Sequence, residues 1–211
     1  DLAGLGTHQL RAMDTRDIAA LDSADLRALS ADQLAALSTA QVRAIDSADI
    51  NAIGASALSG LTSQQIGALG TAQLSALGTD QLVALNATQL AGLGTLQLAG
   101  MGTDDLNAFT ATQFQALSTA QIAGLTTLQV SNLESTDLAG LSTAQIRALD
   151  SRGIAAMDSA DIAVLNASQV AALSTGQLRA IESADIGGLS LGALTGLSSA
   201  QVAALSTLQL A

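Results

Sequence analysis

The sequence contains no cysteine, proline, lysine, tyrosine or tryptophan, and Phe109 and Phe114 are its only aromatic residues. Without cysteine there is neither a disulfide framework nor a thiol-ligated metal. With 49% apolar residues but only 1% aromatics in 211, the composition argues against an ordinary globular core. Seven arginines face eighteen acidic residues, for a net charge of −11, which disfavours binding to nucleic-acid phosphates. Apolar runs last only a few residues, so no membrane span is expected. No cleavable signal sequence is expected at the start of the chain. It starts at Asp1-Leu2-Ala3 in mid-repeat, as expected for a slice of a longer array.

What is present is one pattern, repeated. With Ser38-Thr39-Ala40-Gln41-Val42-Arg43-Ala44-Ile45 as positions 1 to 8, the register runs from Gly6 to Ala211 without insertion or deletion, giving 25 complete octads over residues 6–205. Position 1 is Asp, Ser, Thr, Asn or Gly in 24 of 26 octads, Glu134 and Glu182 excepted, and these are the preferred helix N-caps. Position 4 is Gln or Asp in 23 of 26, failing at Ala57, Gly153 and Ala193. A cap residue followed three places on by Gln is the spacing of a capping box, in which each side chain satisfies the other residue's backbone N–H. Asp there is shorter, but its charge suits a helix N-terminus. Positions 5 and 8 are apolar in every octad, on one helical face, and form the expected core. Position 7 is Ala or Gly except at Asn132 and Val164, which predicts close approach of another backbone. Position 6 varies freely and is read as solvent-facing.

Three architectures compete for this period. In a continuous α-helix, at about 100° per residue, an octad returns about 80° away from its starting face, so the apolar stripe would wind around the rod. A β-solenoid keeps an octad register, but the abundance of Ala, Leu and Gln and the spacing of three between apolar positions oppose it. The expected fold is therefore all-α, a solenoid of very short helices, one of about seven residues per octad, with the β-solenoid as the alternative. Such helices are unstable alone and must stack on their neighbours, here with three or four octads per superhelical turn.

A second period lies above the first. Shifting the chain by 17 octads, so that Asp1 falls on Asp137, makes 45 of 75 overlapping positions identical. The irregular positions match too: Arg11, Arg16 and Arg43 fall on Arg147, Arg152 and Arg179, and Ala57 falls on Ala193. Residues 1–211 are thus expected to be a single continuous solenoid, cut from a longer array with a 136-residue superrepeat.

The chemistry-bearing residues are absorbed by the same logic. Paired carboxylates such as Asp22 and Asp25, Asp46 and Asp49, Asp158 and Asp161, or Glu182 and Asp185, could offer oxygen ligands to Ca²⁺. They lack the glycine and further ligands of a calcium loop and are read as capping boxes. His8 sits at the variable position 3 without a nucleophile or ligand set around it. Threonines at position 2 alternate with Ser and Ala, which opposes an ordered hydroxyl lattice. Arginines at position 6 are expected to offset the acidic caps. No catalytic, cofactor-binding or metal-binding residue is assigned, and no cofactor is expected.

The stretch Leu37 to Ile45, Leu-Ser-Thr-Ala-Gln-Val-Arg-Ala-Ile, resembles the long Ser/Thr-Thr-x-Gln-apolar-x-Ala-Leu tracts of very large bacterial secreted or cell-surface proteins. The resemblance covers the whole chain and implies an extracellular stalk, fibre or adhesin shaft that self-associates along a fibre. It carries over no catalytic residue and no haem ligand. A local likeness to the first helix of TAL-effector DNA-binding repeats concerns a Thr-x-x-Gln-Val-x-Ala-Ile stretch. The period of eight, the missing base-reading loop and the acidic surface set its DNA-binding implication aside. The expected role is a structural scaffold rather than an enzyme, the alternative being a repetitive module that binds carbohydrate, ice or mineral, or calcium. No small-molecule ligand is specified.

Overall fold

Each octad begins with an extended residue and then turns into a helix too short to hold itself. In the octad 38–45, Ser38 lies at φ −73° and ψ 159°, the helix covers Thr39–Ala44, and Ile45 is extended again at φ −58° and ψ 130°. The computed structural model describes residues 2–210. Among the described residues there are 23 α-helices of four to six residues, with 3-10 turns at Leu2–Gly4, Ile50–Ala52 and Ile186–Gly188, and no strand. The fold is an all-α solenoid, and the β alternative does not hold. The helices are shorter than the sequence pattern suggested because positions 8 and 1 are both extended. The break needs no left-handed residue, since no positive φ occurs among the described residues, at glycine or elsewhere.

The chain forms two compact units, Asp1–Phe109 and Thr110–Ala211. In the first, Thr7–Ala12 packs on Ala31–Ala36, and Thr15–Ala19 on Thr39–Ala44. In the second, Thr119–Ala123 packs on Thr143–Ala148, and Ser151–Ala155 on Thr175–Ala180. All these partners lie three octads apart. Position 5 is the centre of the core: Leu10, Leu26, Leu34 and Val42 in the first unit, and Ile122, Ile146, Ile162 and Leu178 in the second, are 0% exposed. Position 8 closes the layer, as Leu37 and Leu173 do, and Phe109 and Phe114 take ordinary places at positions 8 and 5.

Position 7 is where helices of successive turns touch. A Cβ at Gly60 would fall on the carbonyl of Ala31, one at Gly92 on that of Ser63, and one at Gly196 on that of Ala167. These contacts join position 7 of one octad to position 2 of the octad three earlier, so the small-residue rule has its cause in backbone proximity.

The irregular features of the first unit return in the second, 17 octads later. The 3-10 turns Ile50–Ala52 and Ile186–Gly188 correspond, as do the four-residue helices Ala55–Leu58 and Leu191–Leu194. Arg43 donates its Nε–H to the carbonyl of Ala68 at 3.2 Å, and Arg179 does the same to Ala204 at 2.7 Å. These two arginines bond a carbonyl of the next turn, a role their expected pairing with acidic caps did not include.

Replacing Gly92 by Ala is expected to destabilise the first unit by about 1–3 kcal/mol in thermal or urea unfolding, because the added methyl overpacks a backbone contact. Gly187 has nothing within 4 Å of its Cβ position, and Gly187→Ala should leave stability unchanged or slightly raised. Equal effects of the two substitutions would contradict the packing described.

Candidate functional site: a glutamine clip between turns

A helix this short has a special difficulty, since nearly all its N–H and C=O groups are terminal and lack intrahelical partners. The N-terminal half is solved locally. Ser38 Oγ accepts from Gln41 N–H at 3.2 Å, and Gln41 Oε1 accepts from Ser38 N–H at 2.8 Å. Where position 1 is glycine, as at Gly70, the cap side chain is missing. Gln73 Oε1 still accepts from Gly70 N–H at 2.8 Å.

The C-terminal half is solved from another turn by the same glutamine. Gln89 Nε2 donates to the carbonyls of Leu58 and Leu61, at 2.9 and 2.8 Å. Gln65 bonds Leu34 and Leu37 at 2.9 and 2.7 Å, and Gln73 bonds Val42 and Ile45 at 3.0 and 2.7 Å. In the second unit Gln145 bonds Phe114 and Leu117, and Gln169 bonds Leu138 and Leu141, with the same offsets. Each clip thus joins position 4 of one octad to positions 5 and 8 of the octad four before it. Since the helices themselves pack three octads apart, one turn takes between three and four octads. The clipping glutamines are buried, Gln89 and Gln169 to 1% exposure. With its oxygen on its own cap and its nitrogen on an earlier turn, the amide satisfies groups on two helices at once.

The sequence reading assigned position 4 to capping alone and missed the second bond. A signal for it was present. Sixteen of the 26 octads carry Gln at position 4, seven carry Asp, and none carries Glu, although Glu serves a capping box as well as Gln does. Glu has the reach of Gln without its N–H donor, and would set a carboxylate against the carbonyls that Gln bonds.

The seven aspartates lack that donor and are shorter. Where an aspartate accepts from the cap N–H the bond is long, 3.3 Å from Asp14 N–H to Asp17 and 3.4 Å from Asp22 N–H to Asp25. The octads of Asp49 and Asp185 close as 3-10 turns, and Ser23 Oγ donates to Asp49 Oδ1 across a turn. Asp161 is buried, which pushes its carboxyl upward against the lowering effect of its backbone bond with Asp158. Asp137 goes further. Only 3% exposed, it has no partner for Oδ2, and burial, with the neighbouring Glu134 carboxylate, pushes it up to about 6.

Other chemistry stays dispersed. His8 is exposed at position 3. Among the described residues, no three His, Asp or Glu side chains gather as a metal cluster would, and no helix is long and apolar enough to cross a membrane. Open surface clefts recur at equivalent repeat positions, one between Arg11, Ser38 and Gln64 and another between Arg147, Ser174 and Ala200, the second set lying 17 octads after the first.

The family model described as ALTTAQ repeat matches residues 18–50, 42–79, 74–110, 98–135, 130–167 and 178–211. The chain belongs to the ALTTAQ repeat family. No curated protein matches it. The ALTTAQ matches begin at 18, 42, 74, 98, 130 and 178, always a whole number of octads apart, so the family unit keeps the octad register. The match 18–50 is just long enough to span a clipping glutamine and a carbonyl placed before it as Leu10 is before Gln41.

Gln89→Glu keeps the capping acceptor and removes both donors, leaving a carboxylate against two carbonyls. It is expected to cost about 2–4 kcal/mol at neutral pH in urea unfolding, more than Gln89→Ala. A Glu variant as stable as the parent would refute the clip.

Proposed function

We propose that this ALTTAQ repeat chain is a structural scaffold that forms the shaft of an extracellular bacterial filament or surface adhesin. The glutamine register carries this reading: the polar side chain that recurs most faithfully in the interior is spent on joining one turn to another. Positions 5 and 8 hold only apolar side chains, and most cap side chains are engaged with their own helices. What the repeat builds is therefore a lattice. The resemblance to tracts of large secreted and surface proteins supports the extracellular setting.

Self-association along the shaft is part of the same proposal. Position 5 is fully buried wherever a later octad lies over it, whereas Leu194, Val202 and Leu210 are 41%, 44% and 60% exposed. Further octads are the surface that fits them, as they fit Ile162, Val170 and Leu178. Sedimentation of the purified chain is expected to show concentration-dependent association, with extended particles in electron micrographs. The triple substitution L194D, V202D and L210D is expected to abolish the association while leaving helical circular dichroism in place. A chain that stays monomeric at every concentration would count against the filament.

A further inference from the structure

The octad 134–141 differs from the glutamine octads around it in two places, and both concern ionisable groups. Glu134 occupies the cap position, exposed, and its side chain makes no capping bond to the helix Ser135–Gly140. Asp137 occupies the glutamine position, buried, with Oδ2 unpartnered. It is the only buried side-chain polar atom without a hydrogen-bond partner among the described residues. The glutamines of neighbouring octads, Gln145 and Gln169, present a donor from this position. An ionised carboxylate has none, whereas its protonated form has one O–H.

The surroundings offer no cation to compensate. The helix Ser135–Gly140 packs on Ala111–Ala116, which holds no ionisable residue, and on Ser159–Ala163, which brings Asp161 with its cap Asp158. The charged groups around Asp137 on these elements are thus Glu134, Asp158 and Asp161, all acidic. A negative charge at Asp137 is opposed by burial, by a missing donor and by the Glu134 carboxylate together.

We propose that the octad 134–141 is a proton-responsive joint in the solenoid: protonated Asp137 lets the helix Ser135–Gly140 sit closed on its neighbours, and ionised Asp137 loosens it. The sign follows from the raised carboxyl. Below the unfolded value of 3.8 the group is protonated whether the segment is closed or open, and it costs nothing. Between 3.8 and about 6 only the open segment ionises, so closure weakens as pH rises, and above about 6 the loss is complete. The joint therefore closes in acid and loosens towards neutrality, opposite to the usual behaviour of a paired aspartate.

The test is amide hydrogen exchange of residues 135–141 between pH 3.5 and 7.5, corrected for intrinsic base catalysis, in the whole chain and in Asp137→Asn. The parent is expected to lose protection in this segment by up to about a hundredfold across that range, and Asp137→Asn to keep it. A carboxyl-carbon NMR titration of the unmodified chain, which needs no variant, is expected to place Asp137 near 6, and Glu134→Gln should lower it. Identical exchange profiles for parent and Asp137→Asn would overturn the joint, as would titration of Asp137 near the ordinary aspartate value. Recovery of protection at pH 7.5 on adding Ca²⁺ would assign the unpartnered oxygen to a metal ion instead of a proton and would equally overturn it.

Discussion

The bond from a buried glutamine Nε2 to two carbonyls of an earlier turn is the interaction on which the rest depends. Helices as short as these make only a few intrahelical hydrogen bonds of their own, and their nucleation is unfavourable. Apolar burial at positions 5 and 8 draws them together but is indifferent to direction and register. The clip supplies both. It fixes which octad lies over which, and it removes the penalty of unsatisfied carbonyls that would otherwise accumulate with every added repeat.

Several features that look independent are consequences of this one bond. In four of the six octads with glycine at position 1, Gln Oε1 still holds the cap N–H although the cap side chain is gone, as Gly78 and Gln81 illustrate; Gly54 and Gly102, followed by Ala57 and Asp105 at position 4, lack that bond. Two of the 3-10 turns occur where Asp stands in for Gln, at Asp49 and Asp185. Insertion of a single residue would misalign the glutamines of every octad within reach on either side. This accounts for an unbroken register over 25 octads, and it makes one whole octad the smallest change of length that the lattice accepts without rearrangement.

Much of this was legible in the sequence and some was not, for reasons tied to particular residues. The octad, the capping box and the burial of positions such as Leu74 and Leu77 depend on near neighbours along the chain, and local rules reach them. The close approach at Gly60 could be anticipated from the restriction of position 7 to small residues, but its partner Ala31 could not. The second bond of Gln89 was hidden because one side chain meets two needs, and the local need alone explained its presence. The burial of Asp137 is a tertiary fact. In the sequence it is one of seven aspartates at the same repeat position, and only the packing around Ser135–Gly140 sets it apart.

The buried amides also bear on how long such a protein lasts. A glutamine side chain is open to slow hydrolysis to glutamate, and at position 4 that single chemical event would turn a donor into a negative charge facing carbonyl oxygens. Deamidation needs water at the amide, and Gln89 and Gln169 are 1% exposed. The fold therefore shields from ageing the very groups whose ageing would unmake it, and an array of this kind is most vulnerable at half-covered clips such as Gln97 and Gln209.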